Sequence, residues 1–169
     1  SLADVWLRFA SKPIRHAGTM GGNVANGSPI GDSPPILMAL DAQIELRKGA
    51  AVRRMPLTDF YLDYMKNALQ DGEFVQAVAV PLAAFKRQVR GYKISKRFDC
   101  DISALCASMA IEVDGGKVKS IRLAYGGAAR FSIAANFPAG VAATITLPAR
   151  PPREPGNAAG QGLRRTHPQ

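Results

Sequence analysis

Residues 19–23, Thr-Met-Gly-Gly-Asn, combine residue types that can bind an anion through the backbone. Gly21 and Gly22 lack a Cβ atom, so the chain can adopt positive φ and consecutive N–H groups can converge on one phosphate. The Asn23 amide and the Thr19 hydroxyl add two side-chain donors. The spacing fits neither a G-x-G-x-x-G fingerprint nor a Walker loop. Two interpretations stay open, a phosphate-binding turn and a tight turn between a helix and a strand.

Asp32 follows in a segment that contains Pro29, Pro34 and Pro35. Proline restricts the backbone, so the carboxylate could be held still to accept hydrogen bonds from sugar or polyol hydroxyls. The same carboxylate could cap a helix that begins near Pro34. Both roles are compatible.

Composition and charge exclude several function classes. The 169 residues are 47% hydrophobic, enough for one ordinary globular core. The net charge is +9, but the basic residues form short groups without interleaved aromatic residues, which argues against nucleic-acid binding. No apolar run approaches the roughly 20 residues that span a bilayer, and the N-terminal residues do not resemble a signal peptide. We therefore expect a cytoplasmic protein without a membrane segment.

The only cysteines are Cys100 and Cys106. Their spacing and the absence of a nearby histidine match no metal-binding pattern, and two cysteines give no disulfide framework. We expect two free thiols and no metal site.

Hydrophobic periodicity predicts an α+β fold with an antiparallel sheet and short helices. A helix with an apolar face of Leu2, Val5, Trp6 and Phe9 is expected to end before Pro13. A glycine-containing loop follows it, and Asp32 or Ser33 opens the next helix. Asp114-Gly115-Gly116 predicts a hairpin turn. The expected strands are residues 42–46, 51–57, 72–80, 89–96, 102–113 and 118–125, with a short helical or turn segment at 58–62.

Residues 130–169 differ in composition from the rest of the chain. They contain one acid, Glu154, and are rich in Pro, Gly, Ala and Arg, with sustained periodicity only near residues 141–147. Such a composition predicts a flexible segment. It is typical either of a natural tail or of translation out of frame from GC-rich coding sequence.

Several motifs together closely resemble the FAD-binding region of the molybdenum hydroxylase family, and within it the small subunit of bacterial xanthine dehydrogenase. The resemblance covers residues 1–129 and ends there. The motifs lie at residues 12–23, 25–35, 40–42, 56–57, 59–64, 72–75, 92–97 and 123–127.

This resemblance implies part of a vanillyl-alcohol-oxidase-type FAD-binding domain at residues 1–86. It implies the start of a CO dehydrogenase flavoprotein C-terminal-like α+β domain at residues 87–129, followed by a nonhomologous, flexible tail at residues 130–169. The family has an earlier glycine-rich FAD loop and iron–sulfur domains that this chain lacks, so we expect an internal fragment that is inactive on its own.

The function that the resemblance implies is electron transfer through FAD. In the family, FAD receives electrons from iron–sulfur clusters, which receive them from a molybdenum cofactor on a large subunit where a purine is hydroxylated, and passes a hydride to NAD. The expected partners are therefore the molybdenum-cofactor-binding large subunit, an iron–sulfur domain and NAD. The alternative is a truncated, non-catalytic fold or association module without flavin.

The resemblance assigns the cofactor contacts by position, and none of them is a catalytic or metal-binding residue. Residues 19–23 match the pyrophosphate-binding turn, Asp32 an FAD-binding acid, and Lys93 a basic contact near the flavin. Phe9 matches an aromatic contact and Val75 an apolar or backbone contact, although both patterns are also typical of core residues. We expect Tyr92 and Ile94 to face the side of the sheet opposite Lys93, which would leave its cation free. The full set is Phe9, Thr19, Met20, Gly21, Gly22, Asn23, Asp32, Val75 and Lys93.

Overall fold

The computed structural model describes residues 2–127 and the backbone of residues 130–136 and 140–146. Its helices are α1 (Leu2–Leu7), α2 (Lys12–Ala17), α3 (Met20–Ala25), α4 (Ser33–Ala39), α5 (Leu57–Phe60) and a 3₁₀ helix (Leu82–Lys86). Its strands are β1 (Gln43–Lys48), β2 (Ala51–Pro56), β3 (Tyr61–Asp63), β4 (Lys66–Asn67), β5 (Phe74–Ala79), β6 (Gln88–Ile94), β7 (Leu105–Asp114), β8 (Lys117–Gly127), β9 (Arg130–Asn136) and β10 (Gly140–Thr146).

The first antiparallel sheet has the strand order β2-β1-β5. Its central strand β1 alternates, so Ile44 and Leu46 are fully buried, while Gln43 and Arg47 lie on the exposed side. The buried face packs on Val24 of α3 and on α5, and this cluster forms the first core.

The second antiparallel sheet has the strand order β6-β7-β8. Gly91 in β6 allows α1 to lie close to the sheet, because a Cβ atom there would come within 3.1 Å of both Leu2 and Val5. Val5 is fully buried in the second core, and Leu2 and Trp6 pack against the same cluster. One face of this sheet is therefore covered by α1.

Helix α4 joins the two cores. Leu37 belongs to the first core, whereas Ile36 and Leu40 belong to the second. A helix with apolar residues on several sides is typical of a position between packed layers. The two sheets are thus linked through α4, and Asp32 is the residue that precedes this helix.

The expected α+β fold is confirmed. The strands of both sheets and the hairpin turn lie within a few residues of their expected positions, and Gly115 and Gly116 have φ of +55° and +75°. Lys93 is 6% exposed while Tyr92 and Ile94 are 51% and 54% exposed, so these neighbours do face the opposite side.

The expectation of a loop without helices after Pro13 is wrong. Pro13 lies in the first turn of α2, a position that does not need its missing N–H. The Thr19 hydroxyl accepts a 3.0 Å hydrogen bond from the Gly22 amide and caps α3. The helix-starting chemistry of Thr19 thus outweighs the low helix propensity of two glycines.

Residues 130–136 and 140–146 pair as an antiparallel hairpin of β9 and β10. The remainder of the segment that the sequence predicts to be flexible lies outside the described residues. None of the helices within the described part of the chain is long and apolar enough to cross a membrane.

The fold predicts that position 127, at the end of β8, tolerates only glycine. Its φ is +106°, and a Cβ atom would lie 2.5 Å from the backbone oxygen of Ala104. We expect Gly127→Ala to lower the free energy of unfolding by about 3 kcal/mol or more, measured by urea denaturation.

Gly115→Ala is the matched control. It also has positive φ, +55°, but nothing lies within 4 Å of the added Cβ atom. We expect a loss of about 1–2 kcal/mol from backbone strain alone. Equal effects of the two substitutions would show that β8 does not end against Ala104.

Candidate functional site

Two cavities lie against each other on the side of the molecule that carries α2, α3 and the loop before α4. The first has a volume of about 430 Å³ and the second about 460 Å³. Phe9, Ile14 and Asn23 line both. A ligand long enough to occupy both cavities would therefore pass Phe9 and Asn23.

The N-terminal end of α3 forms part of the first cavity, which Thr19, Met20, Gly22 and Asn23 line. The Gly22 amide donates to the Thr19 hydroxyl oxygen and the Asn23 amide to the Thr19 carbonyl oxygen. In the described part of the chain, the amides of Met20 and Gly21 have no acceptor. Of these two residues Met20 lines the cavity, so its N–H group remains for an anion or water at this end.

Gly21 and Val75 do not line either cavity, within the residues that the structure describes. Instead they contact each other, because a Cβ atom on Gly21 would lie 3.0 Å from the Val75 carbonyl oxygen. Gly21 therefore lets α3 pack on β5, and Val75, which packs against the first core, supports the helix from behind.

Asp32 forms a buried ion pair with Lys93. The Lys93 Nζ atom lies 2.6 Å from Asp32 Oδ2, and the side chains are 1% and 7% exposed. Lys93 also donates to the Ser103 hydroxyl at 2.7 Å, and that hydroxyl donates to Asp32 Oδ1. All three residues line the second cavity.

The expectation of a free Lys93 cation is therefore wrong. Alternation in β6 turns Lys93 inward as expected, but inward it meets the carboxylate of Asp32 from the segment before α4. A buried ammonium needs such a partner, since an isolated charge is costly to desolvate.

The two interpretations of Asp32 are resolved by the same contact. Asp32 occupies the position before α4, but its side chain makes no capping hydrogen bond. The carboxylate is directed to Lys93 and Ser103 instead. Its place before the helix thus serves to bring the acid to β6.

Asn23 is tied to the start of α4. Its side-chain oxygen accepts a hydrogen bond from the hydroxyl of Ser33, which is fully buried. The side-chain amide nitrogen of Asn23, Nδ2, is the group left to donate toward the cavities that Asn23 lines. This fits the expected role of the Asn23 side chain as a donor.

Phe9 does not belong to the described core clusters and lines both cavities instead. Its ring centroid lies 6.1 Å from that of Trp6. The next residue, Ala10, has φ of +48°, an unusual value for a residue with a side chain. Arg15 stabilises this corner, because its Nη1 atom donates to the carbonyl oxygens of Phe9 and Ala10 at 2.6 and 2.7 Å.

Sequence reasoning missed Arg15 and Ser103. Arg15 lines the first cavity, and Ser103 completes the contacts of Asp32. The contacts of Ser103 join distant segments, whereas Arg15 donates to carbonyl oxygens five and six residues before it, which its residue type alone does not mark. The inward position of Lys93 was the available signal that a buried partner must exist near it.

Both cysteines are free, as expected, with Cys100 exposed and Cys106 buried. Burial, together with the nearby Asp32 carboxylate, raises the pKa of Cys106 to about 12. Its Sγ atom donates to the Asp32 carbonyl oxygen at 3.6 Å. Cys106 is therefore a protonated, buried thiol that packs behind the site. Within the described residues, no group of three or more His, Cys, Asp or Glu side chains could hold a metal ion.

Comparison with known proteins yields two family matches. Residues 1–83 match the FAD binding domain in molybdopterin dehydrogenase, and residues 90–137 match the CO dehydrogenase flavoprotein C-terminal domain. The second match continues past residue 129, where the sequence interpretation ended the resemblance.

Similar proteins include nicotinate hydroxylase hnxS of Emericella nidulans, 34% identical over 142 residues, which are 80% of this chain and 10% of that protein. Xanthine dehydrogenase of Blastobotrys adeninivorans is 34% identical over 130 residues, 75% of this chain and 9% of that protein. A solved structure of reconstituted CO dehydrogenase from Oligotropha carboxidovorans matches with a TM-score of 0.68 and 28% identity, over 75% of this chain and 44% of that chain. The chain thus spans about a tenth of the two curated relatives.

The geometry predicts that the Asp32–Lys93 pair is important for stability. Removing one charge leaves the other buried without its partner, which typically costs about 3–5 kcal/mol. We expect Lys93→Met and Asp32→Asn each to lower the free energy of unfolding by about 3 kcal/mol in urea denaturation.

Arg97→Ala is the control for this experiment. Arg97 pairs with Asp101 at 2.9 Å, but its side chain is 76% exposed. Its loss should cost less than about 1 kcal/mol. If Lys93→Met lowers the free energy of unfolding as little as Arg97→Ala does, the buried pair is not important for stability and the prediction is wrong.

Proposed function

The chain belongs to the family in which the FAD binding domain of molybdopterin dehydrogenases precedes the CO dehydrogenase flavoprotein C-terminal domain, and we propose that its two cavities hold FAD. FAD is the cofactor of this domain family. The observation that carries the proposal is the junction of the two cavities beside Phe9, with the Met20 amide in one and a buried ion pair in the other.

The residues present fit this cofactor. The cavities, at about 430 and 460 Å³, lie within the range of roughly 300–1,000 Å³ that is usual for cofactor sites. FAD contains a diphosphate, a polyol chain and an aromatic ring system. The first cavity offers backbone donors, the second offers charged and hydroxyl groups, and an aromatic ring stands at their junction.

In the first cavity, the diphosphate would accept a hydrogen bond from the amide of Met20. The positive end of the α3 backbone and the Arg15 guanidinium favour negative charge at this place. Gly22 keeps this end compact, because a Cβ atom there would lie 2.9 Å from the Thr19 hydroxyl oxygen.

In the second cavity, Asp32 and Lys93 would bind and orient the flavin half. Asp32 can accept from polyol hydroxyls with the lone pairs that Lys93 and Ser103 leave unused. Two of the three Lys93 N–H donors are assigned to protein groups, so the third can donate to an acceptor on the cofactor. Phe9 would pack against an aromatic ring of the cofactor and exclude water from it.

We further propose that the chain is an electron-transfer module of a xanthine dehydrogenase-type oxidoreductase located in the cytoplasm. Bound FAD would supply the redox chemistry, taking electrons from iron–sulfur clusters and passing a hydride to NAD. The partners would be an iron–sulfur domain and a large subunit that carries the molybdenum cofactor and oxidises a purine. Support comes from the family matches and from the similarity to xanthine dehydrogenase.

The proposal predicts that Phe9→Ala weakens FAD binding. Because Phe9 lines both cavities, its loss removes a ring contact at their junction, and we expect the dissociation constant to rise about tenfold. The measurement is quenching of flavin fluorescence on titration with the chain, together with the rise of the thermal midpoint that a native-state ligand causes.

Phe85→Ala is the matched control. Phe85 is 66% exposed and lies in the 3₁₀ helix, apart from both cavities. Its removal should leave FAD affinity unchanged. If FAD changes neither fluorescence nor the thermal midpoint of the unaltered chain, the chain is the non-catalytic fold and the proposal is wrong.

A further inference from the structure

Ser103 closes a ring of three buried polar groups. It lies in the connection between β6 and β7 and is 2% exposed. Its hydroxyl accepts from Lys93 Nζ at 2.7 Å and donates to Asp32 Oδ1, while Lys93 donates to Asp32 Oδ2 at 2.6 Å. Each member of the ring thus contacts both others.

The ring determines how the two charges face the second cavity. A carboxylate held at one oxygen can rotate about its χ2 torsion, whereas a carboxylate held at both oxygens cannot. Ser103 supplies the second contact of Asp32 and the second contact of Lys93. Without the hydroxyl, one acceptor and one donor would lie buried and unpaired, and the side chains would rotate to find partners.

The connection that carries Ser103 also forms a wall of the second cavity. Asp101, Ile102 and Ser103 line it, and the Ala104 amide donates to the Ile94 carbonyl oxygen at 2.8 Å. The hydroxyl therefore fixes this wall to Asp32, which lines the same cavity. None of the three residues of the ring lines the first cavity.

We propose that Ser103 is a positioning residue for the flavin half of FAD. Through Asp32 and Lys93 it holds the donor and acceptor groups that meet the polyol chain and the flavin ring, and it does not contribute to diphosphate binding. This inference rests on the proposed FAD site. It adds to that site a residue that affects binding of the flavin half of the cofactor and not binding of the diphosphate.

Ser108 provides a matched control on the adjoining strand. It is fully buried, as Ser103 nearly is, but within the residues that the structure describes its hydroxyl has no hydrogen-bond partner. Ser108→Ala removes the same atom from a buried serine without breaking a contact of the ring. Any effect that Ser103→Ala shows beyond Ser108→Ala is therefore due to the ring.

The experiment compares binding of three probes, FAD, riboflavin and ADP, to the full chain and its variants. Riboflavin contains the flavin and polyol but no phosphate, and ADP contains the diphosphate but no flavin. We expect Ser103→Ala to raise the dissociation constants of riboflavin and FAD about tenfold. The dissociation constant of ADP should change by less than about twofold. Ser103→Thr keeps the hydroxyl and should restore riboflavin binding, and Ser108→Ala should match the unaltered chain with all three probes.

Three results would overturn the inference. In the first, the Ser103→Ala variant binds riboflavin with the affinity of the unaltered chain. In the second, its affinities for riboflavin and for ADP fall equally, which indicates general destabilisation. In the third, Ser103→Thr does not restore riboflavin binding. Failure of the unaltered chain to bind FAD would instead remove the proposed function, and this inference with it. Failure of the inference about Ser103 can therefore be distinguished from failure of the proposed function.

A second measurement applies if Ser103→Ala does not fold. In the unaltered chain labelled with ¹⁵N, riboflavin should shift the amide signals of Ser103 and Lys93, and ADP should leave both in place. If ADP shifts the Ser103 and Lys93 signals and riboflavin does not, the inference is overturned without the use of any variant.

Discussion

The structure depends on one buried ion pair, between Asp32 before α4 and Lys93 in β6. Desolvation makes each charge unfavourable alone, so each requires the other at this place in the fold. Asp32 precedes the helix that joins the two cores, and Lys93 lies in the second sheet. The pair therefore fixes the second sheet against the segment that carries the first cavity. The proposed cofactor site lies beside this contact, because Asp32 and Lys93 both line the second cavity.

The remaining parts of the site are short elements that need support from their surroundings. Helices α2 and α3 have six residues each, too few to be stable in isolation. Contacts with neighbours stabilise them: Val75 packs behind Gly21, and Tyr61 donates from its hydroxyl to the Val24 carbonyl oxygen at 2.9 Å. Burial raises the pKa of Tyr61 to about 12, so this donor stays protonated. Residues of β3 and β5 thus hold α3 in place.

Much of the fold can be predicted from the sequence because its strands alternate clearly and its turns carry glycine at positive φ, as at Gly115 and Gly116. The helices of the glycine-rich segment could not be predicted, since local propensity opposes them and only the Thr19 cap and packing on β5 favour them. For the site, residue types and family resemblance located Asp32, Lys93 and the turn. They did not reveal that Asp32 and Lys93 contact each other, because that contact joins residues 61 positions apart.

The central claim is that FAD spans both cavities, and it is tested most directly by backbone amide signals of the ¹⁵N-labelled chain during titration with FAD. We expect saturable shifts at Met20 and Gly22 in the first cavity and at Asp32 and Lys93 in the second, with one dissociation constant for all four. Shifts confined to other surfaces of the chain, or no shifts at all, would contradict the account.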